Sequence, residues 1–211
     1  MATLVINLIP SENVGYIFLL ESIVILSSVI FSFASDEVIR RYVYKKDFNK
    51  KDLNNPVNAI DSINFIFLIL TVFLFFFIDD LNYVLALIVG LLLSYRAPFI
   101  ASNVAQNKLN YLSVYTVVIS IFITIFSIIF IKNFYYIEIR LFILALQAVF
   151  FRILLYVPLD FKLSYIKKIL SDYLIVLPIY LNRLFGILTT HFLPMIVILY
   201  VDISAYGRYQ Y

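Results

Sequence analysis

The chain has 211 residues, 64% of them hydrophobic and 14% charged, with four glycines, six prolines, no cysteine and a net charge of +3. A soluble domain carries about 45–50% apolar and about 25% charged residues, so soluble, disordered and collagen-like classes are excluded. Without cysteine there is no disulfide framework and no thiolate chemistry, and the small net charge does not point to nucleic acid. A mean hydropathy of +0.99 makes this an all-α, polytopic integral membrane protein.

A transmembrane helix needs about 20 mostly apolar residues to cross a hydrocarbon core of about 30 Å. Residues 1–10 are apolar but too short to span, and they lack the basic region and cleavage site of a secretory signal. Six later segments qualify: 14–35, 60–78, 81–101, 109–131, 134–157 and 173–201. The first is broken only by Glu21. The second ends at Asp79-Asp80, so a turn of a few residues joins it to the third as a tight hairpin. The sixth is interrupted by Arg183. None of these runs alternates with the period of a barrel strand. Between the fifth and sixth, residues 160–170 set Phe161, Ile166, Ile169 and Leu170 among Lys162, Lys167 and Lys168. That segment reads either as a short interfacial helix or as a basic connector.

Charge placement orients the spans. The 36–55 loop holds Arg40, Arg41, Lys45, Lys46, Lys50 and Lys51. Arg96 and Lys108 border the turn between the third and fourth spans. Arg152, Lys162, Lys167 and Lys168 lie around the end of the fifth. These are twelve of the sixteen basic residues, against Lys132, Arg140 and Arg208 on the other side. The positive-inside rule puts the first group in the cytoplasm and both ends of the chain outside.

Little here points to catalysis. His191 is the only histidine, without a second ligand at helical spacing, and reads as a packed helix-interface residue. The four glycines are scattered singly, so no phosphate loop is present. Asp79-Asp80 reads as a charged hairpin tip. No enzyme activity and no cofactor are expected.

Ionisable groups at membrane depth are costly and mark functional interiors. Glu21, Ser28, Ser32 and Ser35 fall on one face of the first span, and Asn58 and Asp61 on one face of the second. Arg96 is followed by Asn103, with Pro98 beside it to weaken the helix. Arg183 lines up with Gly186, Thr190 and Pro194. It lies ten residues past Tyr173, roughly 15 Å into the span, which places it near the midplane facing a cavity, with a structural pair to Glu21 or Asp61 as the alternative. Arg152 lies near an end, where its stem can snorkel. Polar stripes with proline breaks are the pattern of a transporter built around a central cavity.

Pro10-Ser11-Glu12-Asn13-Val14-Gly15-Tyr16 resembles the P-E-E-Y-G-L-Y turn after the first helix of polysaccharide flippases. Ala34-Ser35-Asp36-Glu37-Val38-Ile39-Arg40-Arg41-Tyr42 resembles their G-L-D-x-A-x-x-R-F/Y, with Ala34 where the family has glycine. Leu177-Pro178 through Pro194 to Ala205-Tyr206-Gly207-Arg208-Tyr209 is similar to the start of their second six-helix lobe. Val14-Gly15-Tyr16 and Tyr206-Gly207-Arg208 also stand about one such lobe apart, as internal repeats of transporters do. The family is the Wzx-type O-antigen flippases of the multidrug/oligosaccharidyl-lipid/polysaccharide exporter superfamily.

The resemblance implies part of a twelve-helix, two-lobe fold. Residues 1–160 would form the first lobe, its first helix largely missing. Residues 161–211 would form a cytoplasmic connector and the first helix of the second lobe. A gene fragment or truncated reading frame is therefore expected. The implied function is flipping of an undecaprenyl-diphosphate-linked oligosaccharide across the bacterial inner membrane for O-antigen, capsule or other polysaccharide synthesis. Membrane lipids and glycan-assembly membrane proteins are the implied partners. Arg41, Arg96 and Arg183 are the candidate diphosphate contacts, of which the motif supports Arg41 alone. Two alternatives stand beside this reading. One is a drug/cation antiporter of the same superfamily, using Glu21 or Asp61 as a proton or sodium site. The other is a membrane-embedded glycan polymerase.

Overall fold

A computed structural model of the chain describes residues 11–43, 54–74, 76–105, 109–130, 136–155, 157–192 and 196. Among them there are only helices, turns and short connections. These are α1 (Ser11–Ser32), α2 (Ser35–Val43), α3 (Asn54–Leu74), α4 (Leu81–Leu93), α5 (Arg96–Ala105), α6 (Leu109–Phe130), α7 (Tyr136–Leu154) and α8 (Leu163–Ile187), the last running into a π-helical turn, Leu188–Phe192. Among the described residues four stretches are long and apolar enough to cross a membrane: Gly15–Arg41, Asn54–Leu74, Leu81–Val104 and Ile169–Phe192. The fourth and fifth expected spans fall on α6 and α7. Of these, α7 carries Glu138, Arg140 and Arg152 within its 19 residues. The expectations that rest on residues 1–10, on Lys45, Lys46, Lys50 and Lys51, on Lys108 and Lys132, and on Pro194 and residues 202–211 lie outside the described residues.

Two of the membrane-length stretches are broken helices. The first turns at Phe33 and Ala34, which adopt φ of 46° and 52°, a left-handed conformation that strains any residue with a Cβ. The serine stripe expected along one continuous helix is therefore divided. Ser28 and Ser32 belong to α1, whereas Ser35 begins α2 and is fully buried. The second break separates α4 from α5 at Ser94 and Tyr95, and its cause is Pro98. Without an N–H, Pro98 cannot donate to the carbonyl four residues back, but it is well tolerated in a helix's first turn. The helix restarts at Arg96, with Phe99 N–H donating to Tyr95 O at 3.1 Å.

Two other boundaries differ from the sequence reading. Helix α3 starts at Asn54 rather than at residue 60, since Pro56 in its first turn lacks a donor that would be unsatisfied there anyway. Helix α8 starts at Leu163, so one helix covers both the basic connector and the beginning of the sixth segment, with Pro178 inside it. The interfacial-helix and connector readings of 160–170 thus merge.

The core is built where these helices cross. Leu20 and Val24 of α1 pack with Ala86 and Val89 of α4 and Leu141 of α7. Gly90 makes that crossing possible. A Cβ there would meet Ser27 Oγ at 1.8 Å and the Val24 carbonyl at 2.6 Å, so the backbones approach as only small residues allow. A second cluster joins Ile39, Ile60, Tyr95, Phe99 and Phe151 beneath the α4–α5 break. Helix α8 packs on α3 and touches α2, where Val176 meets Ala34 and Val38. Asp80 caps α4, its carboxylate accepting from Asn82 N–H at 2.9 Å, and it also accepts from the Tyr16 hydroxyl. The aspartate pair thus marks the hairpin turn.

Candidate functional site

The two helix breaks and α8 line an open cavity of about 390 Å³. Helix α1 contributes Val24, Ile25, Ser28, Val29 and Ser32, and α2 contributes Asp36 and Arg40. The α4–α5 break supplies Leu93, Ser94, Arg96, Ala97 and Ile100, and α8 supplies Arg183. Three guanidinium groups and the Asp36 carboxylate line it, and Glu37 lies within 4 Å of Arg40 and Arg183. Ser28 and Ser32 donate to their own helix, to Ile25 O at 2.7 Å and Val29 O at 2.9 Å, so their oxygens keep lone pairs while their protons are used.

The arginines differ in what already holds them. Arg183 donates through Nη1 to both oxygens of Asp36, at 2.9 and 2.8 Å, and through Nη2 to Glu37 Oε1 at 3.5 Å. Arg40 reaches Glu37 at 3.8 Å, and its Nε is buried without a hydrogen-bond partner. Among the described residues no carboxylate pairs with Arg96, and it is exposed. The local order is what the chain dictates. Asp36 and Glu37 occupy the first turn of α2, where the helix dipole favours negative charge, and Arg40 and Arg41 occupy its last turn.

Of the five residues singled out from sequence, Arg96 and Arg183 line this cavity. Arg41 does not; its neighbour Arg40 does. Glu21 is ion-paired with Arg140 of α7 and lines a separate crevice with it. Asp61 is completely buried and bound by Arg152, from Nε at 3.0 Å and from Nη2 at 2.6 Å, while Tyr95 Oη donates to it at 2.5 Å. Arg152 also donates to Val157 O at 2.7 Å. Its side chain is only 12% exposed, which corrects the snorkelling expectation: a buried carboxylate holds it inward. Residues on separate helices give no spacing signal, so neither pair was visible in the sequence.

Arg183 lies within the membrane-length stretch Ile169–Phe192, and its partner Asp36 follows the Phe33–Ala34 break within Gly15–Arg41. Pairing of Arg183 with Glu21 or Asp61, the structural alternative, does not occur.

On the opposite side of the α4–α5 break lies an apolar cavity of about 280 Å³, lined by Leu91, Leu92, Tyr95, Phe65, Val149 and Ile153 among others, with the Asp61–Arg152 pair in its wall. Outside the spans, Asp160 accepts from Tyr165 Oη at 2.6 Å and Lys162 Nζ at 2.9 Å, which together hold its carboxyl below the usual range. Lys162 N–H donates to Ser62 Oγ at 2.9 Å, pinning the start of α8 to α3. His191 sits half-buried in the π-helical turn. Among the described residues no cluster of three His, Asp or Glu side chains is placed to hold a metal ion.

A guanidinium-rich cavity beside interrupted helices can replace the hydration of an anionic group inside a membrane. Comparison with protein-family models, with curated proteins and with solved structures finds no match to this chain.

Proposed function

We propose that this chain is part of a multi-pass transporter that flips an undecaprenyl-diphosphate-linked oligosaccharide across the bacterial inner membrane, from cytoplasm to periplasm. The observation that carries the proposal is the cavity in which Arg40, Arg96 and Arg183 outnumber Asp36. A diphosphate crossing hydrocarbon loses its water, and charge-assisted bonds from planar guanidinium forks are the replacement that protein can offer. On this reading α6 and α7 complete a set of six spans.

The antiporter alternative asks Glu21 or Asp61 to take up and release a small cation. Both carboxylates are held by arginines, Arg140 and Arg152, which speaks for the diphosphate reading.

Orientation is tested by cysteine labelling, which the cysteine-free sequence allows directly. A cysteine at Asn49 is shielded from an impermeant thiol reagent in intact cells, and one at Asn82 labels. Function is tested by glycan export in a strain that depends on this gene. Arg183→Ala abolishes export with membrane abundance nearly normal, and Arg183→Lys restores part of it. Loss of abundance in both variants would make Arg183 a structural residue alone.

A further inference from the structure

We infer that Asp36 is a specificity-determining residue: a built-in carboxylate that competes with the ligand for Arg183 and restricts the cavity to head groups carrying more than one negative charge. The inference rests on the proposed function for the class of ligand, an anionic phosphate-bearing lipid.

The three cavity arginines are unequally available. Asp36 occupies Arg183 through two hydrogen bonds of 2.9 and 2.8 Å. Among the described residues Arg40 has only the 3.8 Å contact with Glu37, and Arg96 has no carboxylate partner. An incoming anion therefore meets Arg96 and Arg40 at once and Arg183 only by exchange. The Arg183 side chain is 36% exposed while Asp36 is 10% exposed, so the guanidinium is approachable from the cavity before the carboxylate is.

A phosphodiester brings one charge. Replacing Asp36 with it exchanges one anion for another at Arg183 and leaves a nearly buried carboxylate unpaired, a costly outcome. The diphosphate of a lipid-linked glycan is a diester that brings two charges, one on each phosphorus, and enough oxygens to bridge Arg96 and Arg183 together, so exchange yields a net gain of charge-assisted bonds. Once released, Asp36 keeps one favourable interaction, because it lies in the first turn of α2 at the positive end of the helix. Discrimination of this kind is needed in a membrane, whose anionic lipids are singly charged phosphodiesters in large excess. Specificity then comes from a group set against the wrong ligand as well as from contacts to the right one.

The test is equilibrium binding of farnesyl methyl diphosphate, a diester with two charges, and farnesyl methyl phosphate, a phosphodiester with one, to the full chain in lipid nanodiscs, for wild type, Asp36→Asn and Asp36→Ser. Wild type prefers the diphosphate by at least about tenfold, and either substitution narrows that ratio by about tenfold, chiefly by tightening the phosphodiester. The ratio is insensitive to a partial loss of folded protein, and the wild-type preference stands as a test even where a variant fails to fold. Equal wild-type binding of both ligands, an unchanged ratio in the variants, or a proportional loss of both ligands would overturn the role of Asp36 and leave the proposed function standing. Binding of neither ligand by wild type would sink the proposed function itself, and this inference with it.

Discussion

Tyr95 stands in the break between α4 and α5, and its hydroxyl donates a hydrogen bond to the fully buried Asp61 at 2.5 Å. Arg152 grips the same carboxylate from α7, and Asn64 of α3 donates to Ser94 Oγ at 2.9 Å, next to Tyr95. The break that carries Arg96 into the cavity is thus fastened by polar bonds to α3 and α7. Such a cluster fixes geometry more than it adds stability.

Removing one partner leaves the other charge buried and unpaired. Asp61→Ala is expected to cost about 3–5 kcal/mol, and the double variant Asp61→Leu/Arg152→Leu to recover most of that loss. The measurement is the temperature at which half the purified protein leaves its monodisperse size-exclusion peak. A double variant as unstable as the single one would contradict the pairing.

Two glycines should respond with opposite sign. Gly90→Ala drives a methyl into Ser27 and the Val24 carbonyl and is expected to destabilise by about 1–3 kcal/mol. Ser27→Gly relieves only part of this, since the backbone carbonyl remains in place. At Gly186 a Cβ meets nothing within 4 Å, so Gly186→Ala is neutral or gains up to about 1 kcal/mol of helix propensity. The same thermal assay separates the two.

Ala34 holds a left-handed backbone at φ 52° and is almost fully buried. Relief of strain in Ala34→Gly, about 1–2 kcal/mol, is offset by the lost methyl and the freer unfolded chain, leaving stability nearly unchanged. Ala86→Gly, in the middle of α4, costs about 1 kcal/mol or more. Ala34→Val is strongly destabilising, because a β-branched residue there is a severe outlier. Equal tolerance of valine and glycine at Ala34 would show that the turn is not left-handed.

What the sequence revealed follows from local physics. Asp79-Asp80 before an apolar run marked the hairpin and the start of α4, and Pro98 foreshadowed the break just before it. The turn at Phe33 and Ala34 carried no glycine or proline to announce it, and treating the serines as one stripe assumed a helix that does not continue. Apolar periodicity located helices; it held no information on which charges meet. Arg183 and Asp36 are 147 positions apart and Arg152 and Asp61 are 91 apart, so both pairs are products of packing. Arg41 was favoured over Arg40 by a motif, whereas the rotation of α2 turns Arg40 to the cavity.

The central claim, that the cavity takes the diphosphate head of a lipid-linked glycan, is tested most directly by photo-crosslinking from inside it. A photoreactive residue is placed at Ala97, which lines the cavity, and at Phe122, which is exposed on α6, in cells that make the glycan. The account predicts a glycan-bearing adduct at Ala97 that disappears with Arg96→Gln, and only phospholipid at Phe122. Phospholipid adducts alone at both positions, or a glycan adduct at Ala97 indifferent to Arg96, would contradict it.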